Sequence, residues 1–290
     1  MASLKKLVNN ESRYLRSFQL FLDRSSEHQS MQKFINGTLP DILARIGDGK
    51  SSIDVMGVGS GGGKIDLQML SQLQSKHPGV SITNEIVEPS GEMINNYKEL
   101  VSKTPDLENI NFTWHMMTSS EYELLRTEKN ITTKMDFIHM IQMLYYESDP
   151  GARVKFFRSL LNQTGKLLLI LGSGTSGWAK LRNTYKSELC DSNIGQYVTT
   201  YLNEYLDAEG ITFQSYDLSS SIDITECFTV GDENGELLLD FLTQVSDFSK
   251  MAPEDLKAGV MDLLHHPECS KEIDGRIMFN STMVVVVVGP

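Results

Sequence analysis

A glycine-rich turn near residue 60 constrains this chain more than any other feature. Five of the seven residues 57–63 are glycine, and they separate an apolar run, SIDVMGV, from an amphipathic run, KIDLQMLSQLQSK. The first run is typical of a buried strand and the second of a helix. Glycines at such a junction let a ligand approach the backbone and direct the amino end of the helix toward it. The turn therefore predicts a nucleoside-type site, and a P-loop is excluded because no Gly-Lys-Ser/Thr follows.

The glycine spacing agrees with two kinds of ligand. Gly57, Gly59 and Gly62 form the G-x-G-x-x-G pattern of dinucleotide-binding proteins. Gly59, Gly61 and Gly63 form the looser G-x-G-x-G pattern of S-adenosylmethionine enzymes. The turn alone leaves both alternatives open, and the first would indicate an NAD(P)-dependent oxidoreductase.

A carboxylate follows the turn at the distance that ribose recognition requires. Glu88 ends the second predicted strand, VSITNEIVE, about 20–25 residues after the glycines, and such an acid can accept bonds from both ribose hydroxyls. Three further features favour S-adenosylmethionine. Two late strands at 211–218 and 281–289 suit a hairpin; the fourth strand begins with an acid, Asp136, and runs into IQMLYYESDP; and no basic residue or further glycine pattern awaits a pyrophosphate.

Strands and helices alternate from residue 52 onward. The predicted strands of this part are SIDVMGV, VSITNEIVE, INFTWH, MDFIHMIQML and KLLLILGS, with helices between them such as ARVKFFRSLLNQ. This rhythm predicts an α/β fold, a Rossmann-like doubly wound sheet, with the two late strands as an antiparallel hairpin at its edge. Two helices are expected before the sheet, the second with Ser26 as N-cap and Gln29 completing a capping box.

Composition excludes several classes of partner. The 290 residues carry a formal charge of −12 without a dense basic patch, so nucleic acids and anionic membranes are poor partners. We expect no signal peptide and no membrane span. The cysteines Cys190, Cys227 and Cys269 read as free thiols, and neither they nor the six histidines have metal-ligand spacing. The sequence thus predicts a soluble, cytoplasmic, metal-free protein, and the lack of an evident apolar stripe favours a monomer.

Aromatic and polar residues cluster after the later strands. Gln142, Tyr145 and Tyr146 follow the fourth strand, and Trp178 and Arg182 follow the fifth. Ligands of doubly wound folds bind beyond these strand ends, where aromatic rings stack on and desolvate a small cationic or heteroaromatic ligand. We therefore expect these residues to line a substrate site.

With these residues assembled, the chain resembles the histamine N-methyltransferase family along nearly its whole length. The motifs that carry the resemblance are SSEHQ, the glycine turn followed by KIDLQ, VEPS, TSSEY, DFIHMIQMLYY, SGWAKL, DFLT and MFNST. The resemblance implies a class I S-adenosylmethionine-dependent methyltransferase, a single domain over 1–290 with substrate-binding additions at 1–50 and 219–280. It also implies N-methylation of the imidazole ring of a small substrate.

The resemblance implies roles for individual residues. Those expected to hold S-adenosylmethionine are Gly59, Ser60, Gly61, Glu88, Met93, Ser119 and Ile141. Those expected to contact the substrate are Tyr14, Phe18, Glu27, Gln142, Tyr145, Tyr146, Trp178, Arg182, Phe241 and Ser281. Within the second set, Glu27 and Gln142 are expected to fix the imidazole ring and its tautomer, and so to be the catalytic pair.

Several positions depart from the family, and those on the substrate side mostly leave more room in the pocket. Met93 stands where the family has a glutamine at the cofactor, and Ser281 where it has an asparagine at the substrate. The family's second tryptophan, a phenylalanine and a cysteine are replaced by Arg182, Leu189 and Gly195. The substrate changes enlarge the pocket, and Arg182 adds a cation that would pair with a carboxylate. The sequence therefore favours carnosine, methylated to anserine, over histamine, which stays the alternative.

Overall fold

The computed structural model describes residues 4–47, 49–107, 109–189 and 198–290. The chain divides into two compact units. The first unit comprises Met1–Ser30, Gly172–Thr200 and Asp217–Val284, and the second comprises Met31–Leu171, Tyr201–Tyr216 and Val285–Pro290. Of the predicted additions, residues 219–280 and 1–30 belong to the first unit and residues 31–50 to the second, and their role in substrate binding stays a prediction.

Nearly all of a seven-stranded mixed sheet belongs to the second unit. Its order is β3-β2-β1-β4-β5-β10-β6, and a second sheet has the order β7-β9-β8. The strands are β1 (Ser52–Val58), β2 (Ser81–Val87), β3 (Ile110–His115), β4 (Met135–Ile141), β5 (Leu161–Gly172), β6 (Phe213–Leu218), β7 (Ser221–Asp223), β8 (Ser270–Ile273), β9 (Arg276–Asn280) and β10 (Met283–Val288). The order is that of a class I methyltransferase, as predicted, with the late strands β10 and β6 side by side at one edge.

Helices connect these strands. They are α1 (Glu11–Arg24), α2 (Glu27–Gly37), α3 (Leu39–Leu43), α4 (Lys64–Lys76), α5 (Gly91–Lys103), α6 (Ser119–Glu128), α7 (Pro150–Ser159), α8 (Gly177–Thr184), α9 (Lys186–Leu189), α10 (Val198–Ala208), α11 (Glu233–Thr243), α12 (Phe248–Met251) and α13 (Glu254–His265). Short 3-10 turns lie at Leu7–Asn9, Leu144–Tyr146 and Thr225–Phe228. None of the helices in the described residues is both long and apolar enough to cross a membrane.

The central strands of the large sheet are parallel and buried. β1 pairs in parallel with β2 and with β4, so that Val58 stands opposite Val87 on one side and Met140 on the other. Six of the seven residues of β4 are buried, which is expected for a strand covered on both faces. The parallel register brings the carboxyl ends of β1, β2 and β4 to one edge of the sheet, where ligands of this fold bind.

Two predicted boundaries in this part are wrong. The fourth strand ends at Ile141 rather than continuing through Leu144, because Gln142 has a φ of 51° and turns the chain. The helix before β5 ends at Ser159, and β5 begins at Leu161 instead of near Lys166. The first correction matters to the site, since the chain leaves β4 at Gln142.

The first unit has a hydrophobic core of its own. Helices α1, α11 and α13 contribute Phe21, Leu238 and Val260 to it, together with Ile222 and Phe279 from the small sheet. The small sheet was not predicted, because its strands have three to five residues and β8 exposes three of its four. Its middle strand, β9, leads through Asn280 to Ser281, and so places one candidate substrate residue.

The cysteines that the structure describes are free thiols, as predicted. Cys227 and Cys269 are both buried in the first unit. Burial raises the pKa of both thiols, so they are poor nucleophiles and behave as small apolar side chains. Cys190 lies outside the described residues.

Candidate active site

The glycine turn connects β1 to α4 with a left-handed backbone. Gly59 and Gly63 have φ of 67° and 77°, a region that side chains disfavour. A Cβ on Gly59 would lie 2.7 Å from Cβ of Met143, and one on Gly63 would lie 2.1 Å from the Tyr97 ring. Gly62, by contrast, has neither a positive φ nor a heavy atom within 4 Å. Gly61 also has a positive φ, of 53°, and a Cβ on Gly57 would lie 2.3 Å from Oγ of Ser60. The structure therefore needs glycine at all three positions of the G-x-G-x-G pattern and at the first two, but not the last, of G-x-G-x-x-G.

Glu88 directly follows the adjacent strand, β2, and binds the backbone of the glycine turn. Its Oε2 accepts the Gly61 N–H and its Oε1 accepts the Ser90 N–H, each at 2.9 Å. The side chain is buried, at 7% exposure. Each oxygen keeps lone pairs beyond the one that the backbone uses. The carboxylate is thus held in place with acceptors to spare, which fits the two vicinal hydroxyls of a ribose.

Ser119 is the first residue of α6, after β3. The helix begins with a capping box formed by Thr118 and Glu121. The Ser119 hydroxyl donates to Oε1 of Glu147, whose other oxygen accepts from Nε of Arg153 at 3.1 Å. Ser119 therefore has a rigid position near the carboxyl end of β3.

The remaining predicted cofactor residues lie in the same unit. Ser60 and Gly61 are half-buried in the glycine turn, and Ile141 is the last residue of β4. Met93 lies in the first turn of α5, where its N–H donates to Oγ of Ser90 at 3.3 Å. Its thioether is half-buried and cannot donate a hydrogen bond, unlike the glutamine of the family. Cofactor contact by these residues stays a prediction.

Gln142 and Tyr145 form a bonded pair just beyond β4. The Tyr145 hydroxyl donates to Oε1 of Gln142 at 2.8 Å, and the Gln142 N–H donates to the carbonyl of Ile170 at 2.9 Å. The amide oxygen keeps a second lone pair, and its NH₂ group faces away from the tyrosine. Tyr146, the next residue, has an 81% exposed ring. Of the two tyrosines, the structure joins only Tyr145 to Gln142.

Glu27 in the first unit is a buried acid. It begins α2, is 8% exposed, and takes part in no ion pair among the described residues. Burial raises the pKa of its carboxyl from 4.5 to about 7, and the nearby polar side chains of Ser281 and Trp178 offset part of that rise. A carboxyl that is costly to ionise alone is suited to a ligand that brings a positive charge.

The start of α2 differs from the predicted capping box. The Ser26 hydroxyl accepts the N–H of Ser221 at 2.9 Å, so that it holds β7 and not the helix. Oγ of Ser25 accepts the Glu27 N–H at 3.1 Å. Gln29 is exposed. The small sheet thus uses the hydroxyl that the sequence assigned to a cap.

Several predicted aromatic residues of the first unit contact one another. Phe18 of α1 stacks on Tyr14 and contacts Phe241 of α11, with ring centres 6.0 Å apart in both pairs. Trp178 of α8 meets the edge of Phe241 at 6.1 Å and of Phe279 at 5.5 Å. The structure therefore brings four of the predicted aromatic residues into one cluster, and Trp178 of that cluster lowers the pKa of the Glu27 carboxyl.

The departures from the family lie in different places. Arg182 is half-buried on α8, one helical turn after Trp178. Leu189 ends α9 and packs against the core of the first unit. Gly195 lies outside the described residues. Ser281 is fully buried, and its hydroxyl donates to Oγ of Ser220 at 3.0 Å.

Sequence reasoning missed three supporting residues. Glu147 holds the Ser119 hydroxyl, Ser220 holds Ser281, and Phe279 packs its ring on Trp178. Each lies 28 or more residues from its partner in the chain, or on a strand that was not predicted. The MFNST motif, which contains Phe279 and Ser281, was the one available signal.

Comparison with known proteins identifies what the chain is similar to. A family model described as a methyltransferase domain matches residues 31–215. Histamine N-methyltransferase of Danio rerio is 59% identical, covering 100% of this chain and 99% of the relative. The enzyme of Bos taurus is 50% identical, with 99% of each covered. Histamine N-methyltransferase B of Xenopus laevis is 51% identical, with 99% of this chain and 98% of the relative covered.

Solved structures with low sequence identity share the fold. A proposed methyltransferase from Bacillus halodurans superposes with a TM-score of 0.51 at 13% identity, covering 86% of this chain and 97% of that one. The YcgJ protein from Bacillus subtilis superposes with a TM-score of 0.50 at 14% identity, covering 90% and 98%. These two likenesses show the fold alone.

Proposed function

The chain belongs to the histamine N-methyltransferase family, and we propose that its substrate is histamine, methylated on an imidazole nitrogen. The coarser activity is established by the relatives and the family model: the chain is an S-adenosylmethionine-dependent N-methyltransferase. The oxidoreductase alternative is dropped accordingly. Carnosine, which the sequence favoured on the strength of Arg182, has no support from these relatives, all of which are named for histamine.

The observation that carries the proposal is the buried Glu27 carboxyl. Its pKa of about 7 reflects burial, and among the described residues it forms no ion pair. Histamine is a small amine that carries an ammonium group near neutral pH, and a bound cation beside Glu27 would favour the ionised carboxylate. The rings of Phe18, Phe241 and Trp178 supply the apolar surround that such a ligand needs. Glu27 is therefore proposed to bind the cation and to stabilise positive charge that develops on the ring.

We propose that Gln142 determines which tautomer of the substrate's imidazole ring is bound. Its amide oxygen accepts from Tyr145 and has one lone pair left, which can accept the N–H of a neutral imidazole. Holding that N–H fixes the tautomer in which the other ring nitrogen carries the lone pair that attacks. No general base is needed before transfer, so alignment supplies most of the acceleration.

The second unit fits the cofactor. Glu88, Gly59, Gly61 and Ser119 would hold its ribose, methionine and adenine parts, as the turn geometry and the spare acceptors of Glu88 allow. When bound, S-adenosylmethionine supplies an electrophilic methyl group on a sulfonium. The chain's own residues then only bind, orient and exclude water.

The proposal is tested by product identification. The protein is incubated with methyl-labelled S-adenosylmethionine and, in parallel, histamine, carnosine or histidine, and the products are separated by mass. We expect label in methylhistamine, with kcat/KM for histamine at least about tenfold above carnosine. Label in carnosine alone, reduced by Arg182→Ala, would overturn the proposal in favour of the carboxylate-binding alternative. The monomeric state and the cytoplasmic location stay proposals that sizing and fractionation can check.

A further inference from the structure

The only proton of the Ser119 hydroxyl is committed to a carboxylate. Ser119 is 6% exposed, and its Oγ donates to Oε1 of Glu147. The direction of this bond is fixed, because an ionised carboxylate has no proton to give. Oγ of Ser119 is therefore left with lone pairs only. Toward any ligand it can accept a hydrogen bond and cannot donate one.

A half-buried arginine, Arg153, keeps the Glu147 carboxylate in this position. Nε of Arg153 donates to Oε2 of Glu147 at 3.1 Å, and both side chains are 11% exposed. The same guanidinium donates to Glu123 at 2.6 Å and to Oγ of Ser120 at 2.8 Å. Because Arg153 is itself held at several points, the ion pair keeps the Glu147 carboxylate in one orientation. One oxygen faces Arg153 and the other faces Ser119.

We propose that Glu147, acting through Ser119, makes the cofactor site select a 6-amino purine over a 6-oxo purine. The proposal rests on the placement of Ser119 beside the adenine that the proposed function includes. On the adenine ring, the three ring nitrogens of the free edges accept hydrogen bonds and only the exocyclic amine donates. An acceptor-only hydroxyl therefore pairs with that amine. A 6-oxo purine would place a second acceptor against it, and two facing acceptors cost binding free energy. Glu147 is thus a positioning residue.

The structure also indicates which substitution would turn the Ser119 hydroxyl from a hydrogen-bond acceptor into a donor. In a Glu147→Gln protein, Arg153 still needs an acceptor, so the amide oxygen faces Arg153 and the amide NH₂ faces Ser119. That NH₂ donates to Oγ of Ser119 and releases the hydroxyl proton. Ser119 can then donate to a keto oxygen. The glutamine side chain has the same shape as the native glutamate, so the substitution alters hydrogen-bond direction more than packing.

The test is calorimetric binding of two ligands to the full chain without substrate. The ligands are S-adenosylhomocysteine and S-inosylhomocysteine, in which the purine 6-amino group is replaced by oxygen. We expect the native protein to prefer the amino ligand by about tenfold or more, and Glu147→Gln to bring the ratio of the two Kd values close to one. Ser119→Ala should also reduce the ratio. Glu123→Gln is the matched control, since Glu123 touches Arg153 and not Ser119, and it should keep the native ratio.

The outcomes separate this proposal from the proposed function. A native protein that binds both ligands equally, or Glu147→Gln and Ser119→Ala proteins that keep the native ratio, would overturn it. If S-adenosylhomocysteine itself fails to bind the native protein, the proposed function fails with it. A purely structural role of Glu147 would weaken both ligands alike and leave the ratio unchanged, which also counts against the proposal.

Discussion

The Tyr145 hydroxyl donates a 2.8 Å hydrogen bond to Oε1 of Gln142, at the point where the chain leaves β4. Gln142 has a φ of 51°, a left-handed conformation that costs an L-residue about 1–2 kcal/mol. Such conformations persist where the surrounding structure holds them, and they concentrate at functional sites. The bond to Tyr145 fixes the amide of a residue whose backbone is already constrained, which is what orientation of a ring requires.

Removing that hydroxyl should impair orientation without affecting the cofactor. We expect Tyr145→Phe to lower kcat/KM for histamine about tenfold, because one hydrogen bond of about 1 kcal/mol and the amide orientation are lost. The Kd of S-adenosylhomocysteine should not change. The matched control is Tyr216→Phe, which removes the hydroxyl that donates to Gln214 at 3.3 Å on an exposed strand. Equal kinetics in the two variants would contradict the role of Tyr145.

Glu88 should be needed for its second oxygen as well as its charge. In Glu88→Gln one of the two backbone N–H groups, of Gly61 or Ser90, loses its acceptor. We expect the Kd of S-adenosylhomocysteine to rise at least tenfold, measured by calorimetry. Glu92→Gln changes an exposed acid in the first turn of α5 and serves as control. Binding that is unchanged in Glu88→Gln would remove Glu88 from the ribose site.

The two glycine patterns can be separated by alanine substitution. Gly61 belongs only to the G-x-G-x-G pattern, and Gly61→Ala places a Cβ at a φ of 53°, so we expect about a tenfold loss of S-adenosylhomocysteine affinity. Gly62→Ala meets nothing within 4 Å and should bind as the native protein does. The reverse result, with Gly62→Ala impaired and Gly61→Ala intact, would contradict the assignment of the turn.

Glu27 should make the protein less stable above neutral pH. Its folded-state pKa of about 7 lies above the ordinary value of 4.5. Between these values the folded state binds more protons than the unfolded state, so stability is fully present below about pH 4.5 and falls as the pH rises through 7. One pH unit corresponds to about 1.4 kcal/mol, so Glu27→Gln should be more stable than the native protein at pH 8 by up to about 3 kcal/mol.

Chemical denaturation without ligand checks this stability prediction. The free energy of unfolding is compared between native protein and Glu27→Gln at pH 5 and pH 8. We expect the advantage of the variant to grow with pH and to shrink when histamine and S-adenosylhomocysteine are added to the native protein. A variant that is less stable than the native protein at pH 8 would show that Glu27 is satisfied without a ligand.

The sequence predicts the parts of this molecule whose signals are local. The strand β1, the glycine turn and α4 follow from glycine chemistry and from the change of hydrophobic period, and β3 is predicted to the residue. Buried parallel strands read as continuous apolar runs, which is why the strands of the large sheet could be anticipated, whereas the class I methyltransferase fold was implied by the family resemblance.

What the sequence could not supply is non-local. The end of β4 depends on the strained backbone of Gln142, a residue with no intrinsic preference for positive φ. Ser26 looks like a helix cap, and it instead bonds to Ser221, 195 residues away. The hydroxyl of Ser119 is directed by Glu147 across 28 residues. These partners are chosen by tertiary packing, so a local pattern cannot reveal them.

The most direct test of the account is the pH dependence of kcat/KM for histamine in native protein and in Glu27→Gln. This parameter reports the ionisation of the free enzyme. We expect the native value to rise as the pH passes through about 7, because the carboxylate that pairs with the cation forms there. Glu27→Gln should be at least tenfold slower at pH 8 and should show only the inflection that belongs to histamine itself. A Glu27→Gln protein with the native kcat/KM and the native pH profile would contradict the account.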